Sequence, residues 1–341
     1  MKVLITGAGA LLGQGIIRAL RATTLDATII AVDPSPLAAG LYWAHRAHLV
    51  PLAADPEFLP QFEAILASES PDVVLVGTDV ELRLLAAHRA RLEETYHTRL
   101  LISPEQVVAI AEDKWRTYEF LRDRGLGCPV SALPGDVGQL MEAVGFPLIV
   151  KPRVGCRSVG VYKVNDEAEL ERALALEPDP VIQECVATPF DEYTAGALVF
   201  EGRCEASIVM RRLLRDGNTY QGFVAPYPEL NAQVREIAEA LGAFGPVNVQ
   251  FRLDGERVKV FEINARFSGT TPLRACAGFN EVEIALRHLL YGEPVVQPPV
   301  QSMTILRHWA ETIVTEDVAQ ATQSLLSPSL AGMRAALGIL W

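Results

Sequence analysis

Two short segments constrain this chain more than any other feature. Val247-Asn248-Val249-Gln250-Phe251 and Val260-Phe261-Glu262-Ile263-Asn264-Ala265-Arg266 each alternate apolar and polar residues. That is the period of a strand with one buried face. Glu262 and Asn264 are two residues apart, so their side chains leave the same face. A carboxylate beside an amide oxygen, with Gln250 on the neighbouring strand, forms a set of oxygen ligands. Hard cations such as Mg²⁺ take such ligands where they bridge phosphates. The competing reading is a solvent-facing strand edge, because Glu and Asn buried without partners cost free energy.

Register decides whether Gln250 joins this set. Asp254-Gly255 is a hairpin signal. A two-residue Asp-Gly loop would pair Leu253 with Glu256 and send Gln250 and Glu262 to opposite faces. A three-residue loop, Leu253 to Gly255, would pair Arg252 with Glu256 and bring them to one face. The metal reading therefore predicts an odd-numbered loop.

The chain has five lysines against 25 arginines, so lysine is not its default surface cation. Lys151 ends the apolar run Phe146-Pro147-Leu148-Ile149-Val150. A loop containing Arg153, Gly155, Cys156, Arg157, Ser158 and Gly160 follows. Glycine loops expose backbone N–H groups, and anions bind there. Lys114 follows Asp113, which suits a helix N-cap, and a cation in the first turn beside such a cap suits phosphate. For either lysine alone the competing reading is a solvated surface cation. Arg211, Arg212 and Arg215 lie in a predicted strand, turn and return strand. Arginine makes bidentate contacts to carboxylate or phosphate; the alternative is a solvated hairpin.

The pieces occur in a fixed order. Asp113-Lys114 is followed by Val150-Lys151-Pro152 with its glycine loop, then Val181-Ile182-Gln183-Glu184-Cys185-Val186. Asp191-Glu192-Tyr193-Thr194, Asn248-Val249-Gln250-Phe251 and Phe261-Glu262-Ile263-Asn264-Ala265-Arg266 complete it. This order resembles the ATP-grasp superfamily, in the branch similar to carbamoyl-phosphate synthase and other carboxylate–amine ligases, over roughly residues 100 to 295. The resemblance implies ATP with Mg²⁺, or Mn²⁺ in its place. It implies that Lys114, Lys151 and the loop with Gly155 and Ser158 contact the phosphates. It assigns adenine to Glu184, Cys185 and Val186, the ribose hydroxyls to Glu192, and the metal to Gln250, Glu262 and Asn264. Arg266 would stabilise charge on the transferring phosphoryl group, while the catalytic candidates Arg211 and Arg212 are read from their own pattern as contacts to the substrate carboxylate or the γ-phosphate. The loop departs from the family pattern, which is richer in Gly and Ser, at Cys156 and Arg157.

The N-terminal segment carries a rival. Val3-Leu4-Ile5-Thr6 reads as a buried strand, and Gly7-Ala8-Gly9-Ala10-Leu11-Leu12-Gly13 as a tight turn into a helix from Gln14 to Arg21. Asp33 ends the next strand, twenty residues after Gly13. That is close to a dinucleotide fingerprint. The third glycine falls one residue late, and no Tyr-x-x-x-Lys pair is present. The glycines are therefore read as structural, in a Rossmann-like domain without nicotinamide. Asp72 to Gly77 reads as another buried parallel strand. It ends at Thr78-Asp79-Val80-Glu81. Asp79 and Glu81 are placed to meet a substrate amino group; the competing reading is that Thr78 or Asp79 caps the following helix.

The expected fold class is α/β and α+β: an ATP-grasp fold preceded by a Rossmann-like N-terminal domain. Its expected parts are residues 1–110, a central or lid subdomain 111–190, and a C-terminal subdomain 191–341 with the metal site and an apolar tail from Leu325 to Trp341. The expected function is an ATP-dependent ligase that activates a carboxylate as an acyl phosphate and joins it to an amine. Its expected substrates are small molecules bearing those groups, amino acids among them. A small-molecule kinase on the same scaffold is the alternative. A Rossmann NAD(P)-dependent oxidoreductase and a non-catalytic nucleotide binder follow. Net charge of −12 argues against nucleic acid or an anionic membrane as partner. The five cysteines form no C-x-x-C and read as free thiols in a reducing, cytoplasmic compartment. The apolar tail must pack on its own body or on a second subunit, and the second option would make a homodimer.

Overall fold

The structure is a computed structural model that describes residues 1–155, 158–186 and 191–323. Cys156, Arg157 and the apolar tail from Leu325 lie outside the described residues. Two compact units emerge. Of the described residues, one comprises 1–102, 282–293 and 309–323; the other comprises 103–281 and 294–308. Among the described residues no helix is long and apolar enough to cross a membrane.

The first unit contains β1 (Lys2–Ile5), α1 (Leu11–Arg21), β2 (Thr28–Asp33), β3 (Arg46–Leu49), α2 (Phe58–Glu69), β4 (Val73–Leu75), α3 (Asp79–Tyr96) and β5 (Arg99–Leu101). All five strands are parallel, in the order β3-β2-β1-β4-β5. Val3, Leu4, Ile5, Val73, Val74 and Leu75 are fully buried, as expected of strands covered on both faces. Helix α1 starts at Leu11 rather than Gln14, because the glycine turn is tight enough to enter the helix three residues sooner.

The second unit begins with α4 (Glu105–Glu112) and α5 (Lys114–Asp123). A four-stranded antiparallel sheet follows, built from β6 (Ser131–Ala132), β7 (Leu148–Pro152), β8 (Tyr162–Val164) and β9 (Pro180–Glu184), in the order β6-β9-β7-β8. Helices α6 (Val137–Val144) and α7 (Glu167–Leu176) supply Leu140, Leu170 and Ala173 to its core, where they meet Leu148, Val150 and Ile182. A six-stranded antiparallel sheet follows: β10 (Glu192–Phe200), β11 (Arg203–Arg215), β12 (Asn218–Val224), β13 (Gly245–Asp254), β14 (Arg257–Asn264) and β15 (Met303–Leu306). Its order is β14-β13-β10-β11-β12-β15. Helix α8 (Pro228–Ala240) and helices α4 and α5 cover one face, so that Val234, Ile237 and Leu121 pack with Val199, Val249, Phe251 and Ile263. Helix α9 (Thr271–Cys276) follows β14, and α10 (Glu281–Tyr291) starts on Glu281, the last residue of this stretch; its residues from Val282 belong to the first unit. The other face of β10, β13 and β14 carries the polar residues.

The hairpin of β13 and β14 departs from the expected odd-numbered loop. Asp254 pairs with Arg257, so the turn is the two residues Gly255-Glu256, with Gly255 at φ +60°. By itself this register would set Gln250 opposite Phe261. A β-bulge corrects it: Phe251 pairs with Val260 but Gln250 pairs with Glu262, and Phe261 is the extra residue. Gln250 and Glu262 therefore share a face, by a bulge rather than by the loop.

Candidate functional site

A cleft of about 300 Å³ opens within the second unit. Lys114, Lys151, Gly155, Ser158, Glu184, Cys185, Val186, Glu192, Arg212, Gln250 and Glu262 line it. Lys114 stands in the first turn of α5, and Asp113 caps that helix by accepting from the backbone N–H of Trp115 and Arg116. Arg153 Nη2 binds the same carboxylate at 2.5 Å, which ties α5 to the strand of Lys151. Lys114 Nζ donates to the Gly155 carbonyl at 2.9 Å.

Lys151 is 5% exposed. Its Nζ donates to Gln183 Oε1 at 2.9 Å and to the Phe261 carbonyl at 3.2 Å. The bulge thus has a second effect: the residue it removes from the ladder supplies the carbonyl that holds Lys151. Gln183 Nε2 in turn donates to Ser131 Oγ at 2.8 Å. Burial first, and then the like charge of Lys114, pushes the Lys151 ammonium down to about 7 against the opposing pull of Glu262 and Glu192. Among the described residues neither lysine makes an ion pair; both ammonium groups rest on neutral oxygens.

Glu262 Oε1 accepts from Gln250 Nε2 at 3.3 Å and Asn264 Nδ2 at 3.1 Å, so the three predicted ligands form one cluster. The amide oxygens are engaged elsewhere: Gln250 Oε1 accepts from Arg212 at 2.6 Å and Asn264 Oδ1 from Arg266 at 2.9 Å. Among the described residues no group of three or more His, Cys, Asp or Glu is arranged to hold a metal. This donor set, one carboxylate with amide oxygens beside two cations, does not suit a metal held by protein alone. It fits Mg²⁺, which binds through one or two carboxylates and takes other ligands from phosphates and water.

Glu184 is bound on both oxygens by Lys259 Nζ at 2.9 Å and accepts from the Val130 N–H at 3.0 Å. Glu192, 7% exposed, is clamped by Arg212 at 2.7 Å and Arg252 at 3.0 Å. Arg252 also donates to the Val186 carbonyl at 3.2 Å. Three expected residues do not line the cleft: Asn264, Arg266 and Arg211. Arg211 and Arg212 are consecutive on β11 and so point to opposite faces. Arg212 meets Glu192, whereas Arg211 lies 4.2 Å over the Phe223 ring. Arg266 donates to the Phe267 carbonyl at 2.9 Å as well as to Asn264. Residues not singled out from sequence include Gln183, Phe261, Lys259 and Arg252. Arg252 was legible, since it lies two residues beyond Gln250 on the same face; the others depend on pairings distant in sequence.

The rival glycine turn of the first unit is closed by its own backbone. A Cβ at Gly13 would stand 2.2 Å from the Gly7 carbonyl oxygen, and one at Gly77 2.1 Å from that of Thr6. Asp33 accepts from the Gly9 N–H at 2.7 Å and the Ser35 N–H at 2.8 Å, so both its oxygens are engaged by backbone, one of them by the turn. Thr78 stands at the N-cap of α3 without a capping hydrogen bond. Glu81 is 3% exposed; burial pushes its carboxyl up to about 7, although the Thr6 hydroxyl binds it. Among the described residues its Oε2 has no hydrogen-bond partner.

Comparison with known proteins adds to this geometry. The model for "ATP-grasp in the biosynthetic pathway with Ter operon" matches residues 182–312, which hold the Glu184, Glu192 and Glu262 segments. The model for a "PylC-like, N-terminal domain" matches residues 3–98. Residues 182–312 thus form an ATP-grasp region. That region is preceded by the PylC-like domain, an α/β unit, in agreement with the expected fold class. The chain is 26% identical over 303 residues to the carbamoyl phosphate synthase large chain of Thermus thermophilus, covering 80% of this chain and 28% of that protein. The corresponding Mycobacterium tuberculosis protein is 26% identical over 335 residues, covering 87% of this chain and 29% of its own length. The chain therefore spans less than a third of these curated relatives. Among solved structures, the N5-carboxyaminoimidazole synthetase of Staphylococcus aureus complexed with ADP is similar at TM-score 0.66 and 19% identity, covering 95% of each chain. The L-amino acid ligase of Bacillus licheniformis is similar at TM-score 0.64 and 20% identity, covering 84% of this chain and 73% of that one. These likenesses carry the ATP-grasp fold.

Proposed function

We propose that the cleft of the second unit binds Mg-ATP and that the protein is a carboxylate–amine ligase producing ADP and phosphate. The observation that carries this reading is the buried Lys151 ammonium. It rests on neutral oxygens beside Lys114 and faces Glu262, an arrangement completed by an incoming polyphosphate. Lys114 and Lys151 neutralise the phosphates, and Gly155 and Ser158 lie against them. Glu262, with Gln250 and Asn264, holds Mg²⁺, which supplies Lewis-acid neutralisation of the phosphate oxygens. Glu184 to Val186 faces adenine and Glu192 faces the ribose, while Arg252 and Arg212 orient Glu192. Phosphoryl transfer depends on positioning and charge neutralisation, which this cleft provides without a nucleophilic side chain.

In the reaction a substrate carboxylate oxygen attacks the γ-phosphorus and ADP leaves. An amine nitrogen then attacks the acyl carbon, phosphate leaves, and the nitrogen loses a proton to solvent. The four-stranded sheet that carries Lys151 and Glu184 would exclude water from the acyl phosphate. The likeness to a carbamoyl phosphate synthase and to an L-amino acid ligase supports small carboxylates and amines as the substrate class. ADP release from Mg-ATP, measured against amino acids and small carboxylates singly and in pairs, tests the proposal. Turnover that requires both a carboxylate and an amine supports it. Turnover with a single alcohol or acid makes the protein a kinase instead.

A further inference from the structure

A second charge pair lies deeper in the same unit. Arg274 on α9 and Glu281 at the start of α10 are both 0% exposed. Arg274 Nη1 donates to both Glu281 oxygens at 3.2 Å, and the Thr271 hydroxyl donates to Glu281 Oε1. Such a pair is weak evidence for stability, since desolvation offsets much of the attraction and an apolar replacement is often neutral. Strand β10 is shaped around it. A Cβ at Gly196 would stand 2.4 Å from Arg274 Nη1 and 2.6 Å from Glu281 Oε2. Glycine in a strand interior weakens the strand, so this position gives up local stability to admit the guanidinium.

The guanidinium leads toward the metal cluster. Arg274 Nη2 donates to Thr194 Oγ1 at 3.2 Å, and Asn248 Nδ2 donates to the same oxygen at 2.8 Å. Asn248 Oδ1 accepts from Gln250 Nε2 at 3.4 Å, and that nitrogen reaches Glu262 Oε1 at 3.3 Å. Strand register sets Thr194 opposite Gln250, Gly196 opposite Asn248 and Asn248 opposite Asn264, all on one face. Thr194 and Asn248 are buried, at 0% and 2% exposure, so they have few alternative orientations.

We propose that Arg274 and Glu281 are positioning residues for the metal cluster. Acting through Thr194 and Asn248, the pair fixes the Gln250 amide, and Gln250 fixes the Glu262 carboxylate before metal arrives. Outer-shell partners of this kind typically change metal affinity by about 10- to 100-fold. The inference rests on the proposed nucleotide and metal reading of the cleft, and the test separates the two.

The probe is Mn²⁺ in the presence of ADP, with free Mn²⁺ read by electron paramagnetic resonance. The proteins are wild type, Thr194→Val, Thr194→Ser and the double variant Arg274→Met/Glu281→Leu. Thr194→Val removes the linking hydroxyl at nearly constant volume; Thr194→Ser keeps it and removes only the methyl. Thr194→Val and the double variant are expected to bind Mn²⁺ about tenfold more weakly. Thr194→Ser should stay near wild type, and ADP affinity without metal should be unchanged throughout. Mn²⁺ affinity within twofold of wild type in Thr194→Val overturns the proposal. Equal weakening in Thr194→Ser also overturns it, because the packing would then matter and not the hydroxyl. If the double variant does not fold, the Thr194 pair decides alone. Failure of wild type to bind ADP or Mn²⁺ would remove the reading of the cleft itself and this inference with it.

Discussion

Gly7 to Gly13 and the loop containing Gly155, Ser158 and Gly160 both follow an apolar strand, and either suits a phosphate in sequence. Their surroundings differ. At Gly13 the space a Cβ would need holds the Gly7 carbonyl, and the nearby carboxylate of Asp33 is bound by the Gly9 N–H of the turn and by the Ser35 N–H. At Gly155 the nearest atom to an added Cβ is Pro152 Cβ at 3.6 Å, an ordinary contact. Beside that loop stand two lysines whose ammonium groups meet neutral oxygens. A glycine turn is structural when backbone fills it. It becomes a candidate ligand loop when, as at Gly155, it borders a cleft that cations also line.

The largest effect that could break this contrast comes from Glu262→Gln. ADP release should fall on the order of 10²–10³-fold, as for loss of one preorganised electrostatic contact, while the melting temperature stays near wild type. Undiminished turnover would remove the cleft from the account. Next is Gly13→Ala, which drives a methyl into the Gly7 carbonyl and should destabilise by about 1–3 kcal/mol in thermal or denaturant unfolding. A neutral Gly13→Ala would mean that the turn has room for a ligand after all.

The buried lysine sharpens the comparison through pH. Lys151 without nucleotide loses its charge above about pH 7, whereas a bound polyphosphate favours the ammonium. ADP binding should therefore take up a proton above pH 7 and weaken as pH rises, approaching about tenfold per pH unit. Calorimetry in buffers of different ionisation enthalpy reads both effects, and Lys151→Arg, charged throughout, should flatten the profile. In the first unit the sign concerns stability. The Glu81 carboxyl has its folded value at about 7 against 4.5 unfolded, so between these values the folded state holds more protons. Stability should fall as pH rises through that window. Glu81→Gln should reduce this fall by on the order of 1 kcal/mol, measured by denaturant midpoints at pH 5 and 8. The smallest effect belongs to Gly155→Ala, which should change stability by less than about 0.5 kcal/mol.

Much of the site was legible because it depends on local rules. The Asp113 cap, Lys114 in the first turn and the shared face of Glu262 and Asn264 follow from spacing alone. The parallel strands of the first unit were visible as apolar runs, and strand alternation by itself separates Arg211 from Arg212. The bulge at Phe261 was not legible, because it is a backbone irregularity with no Gly or Pro to mark it. It keeps Gln250 opposite Glu262 despite the two-residue turn. The clamp on Glu192 joins residues 20 and 60 positions away, and Thr194 meets Arg274 across 80. Such pairings come from sheet order, which no local pattern encodes.

The most direct measurement is titration calorimetry of the wild-type protein with ATP, with and without Mg²⁺, beside NADH and NADPH. The account predicts ATP binding that Mg²⁺ strengthens, and no binding of either reduced nicotinamide nucleotide. Binding of NADH or NADPH without binding of ATP would contradict it and make the Gly7–Gly13 turn the ligand site.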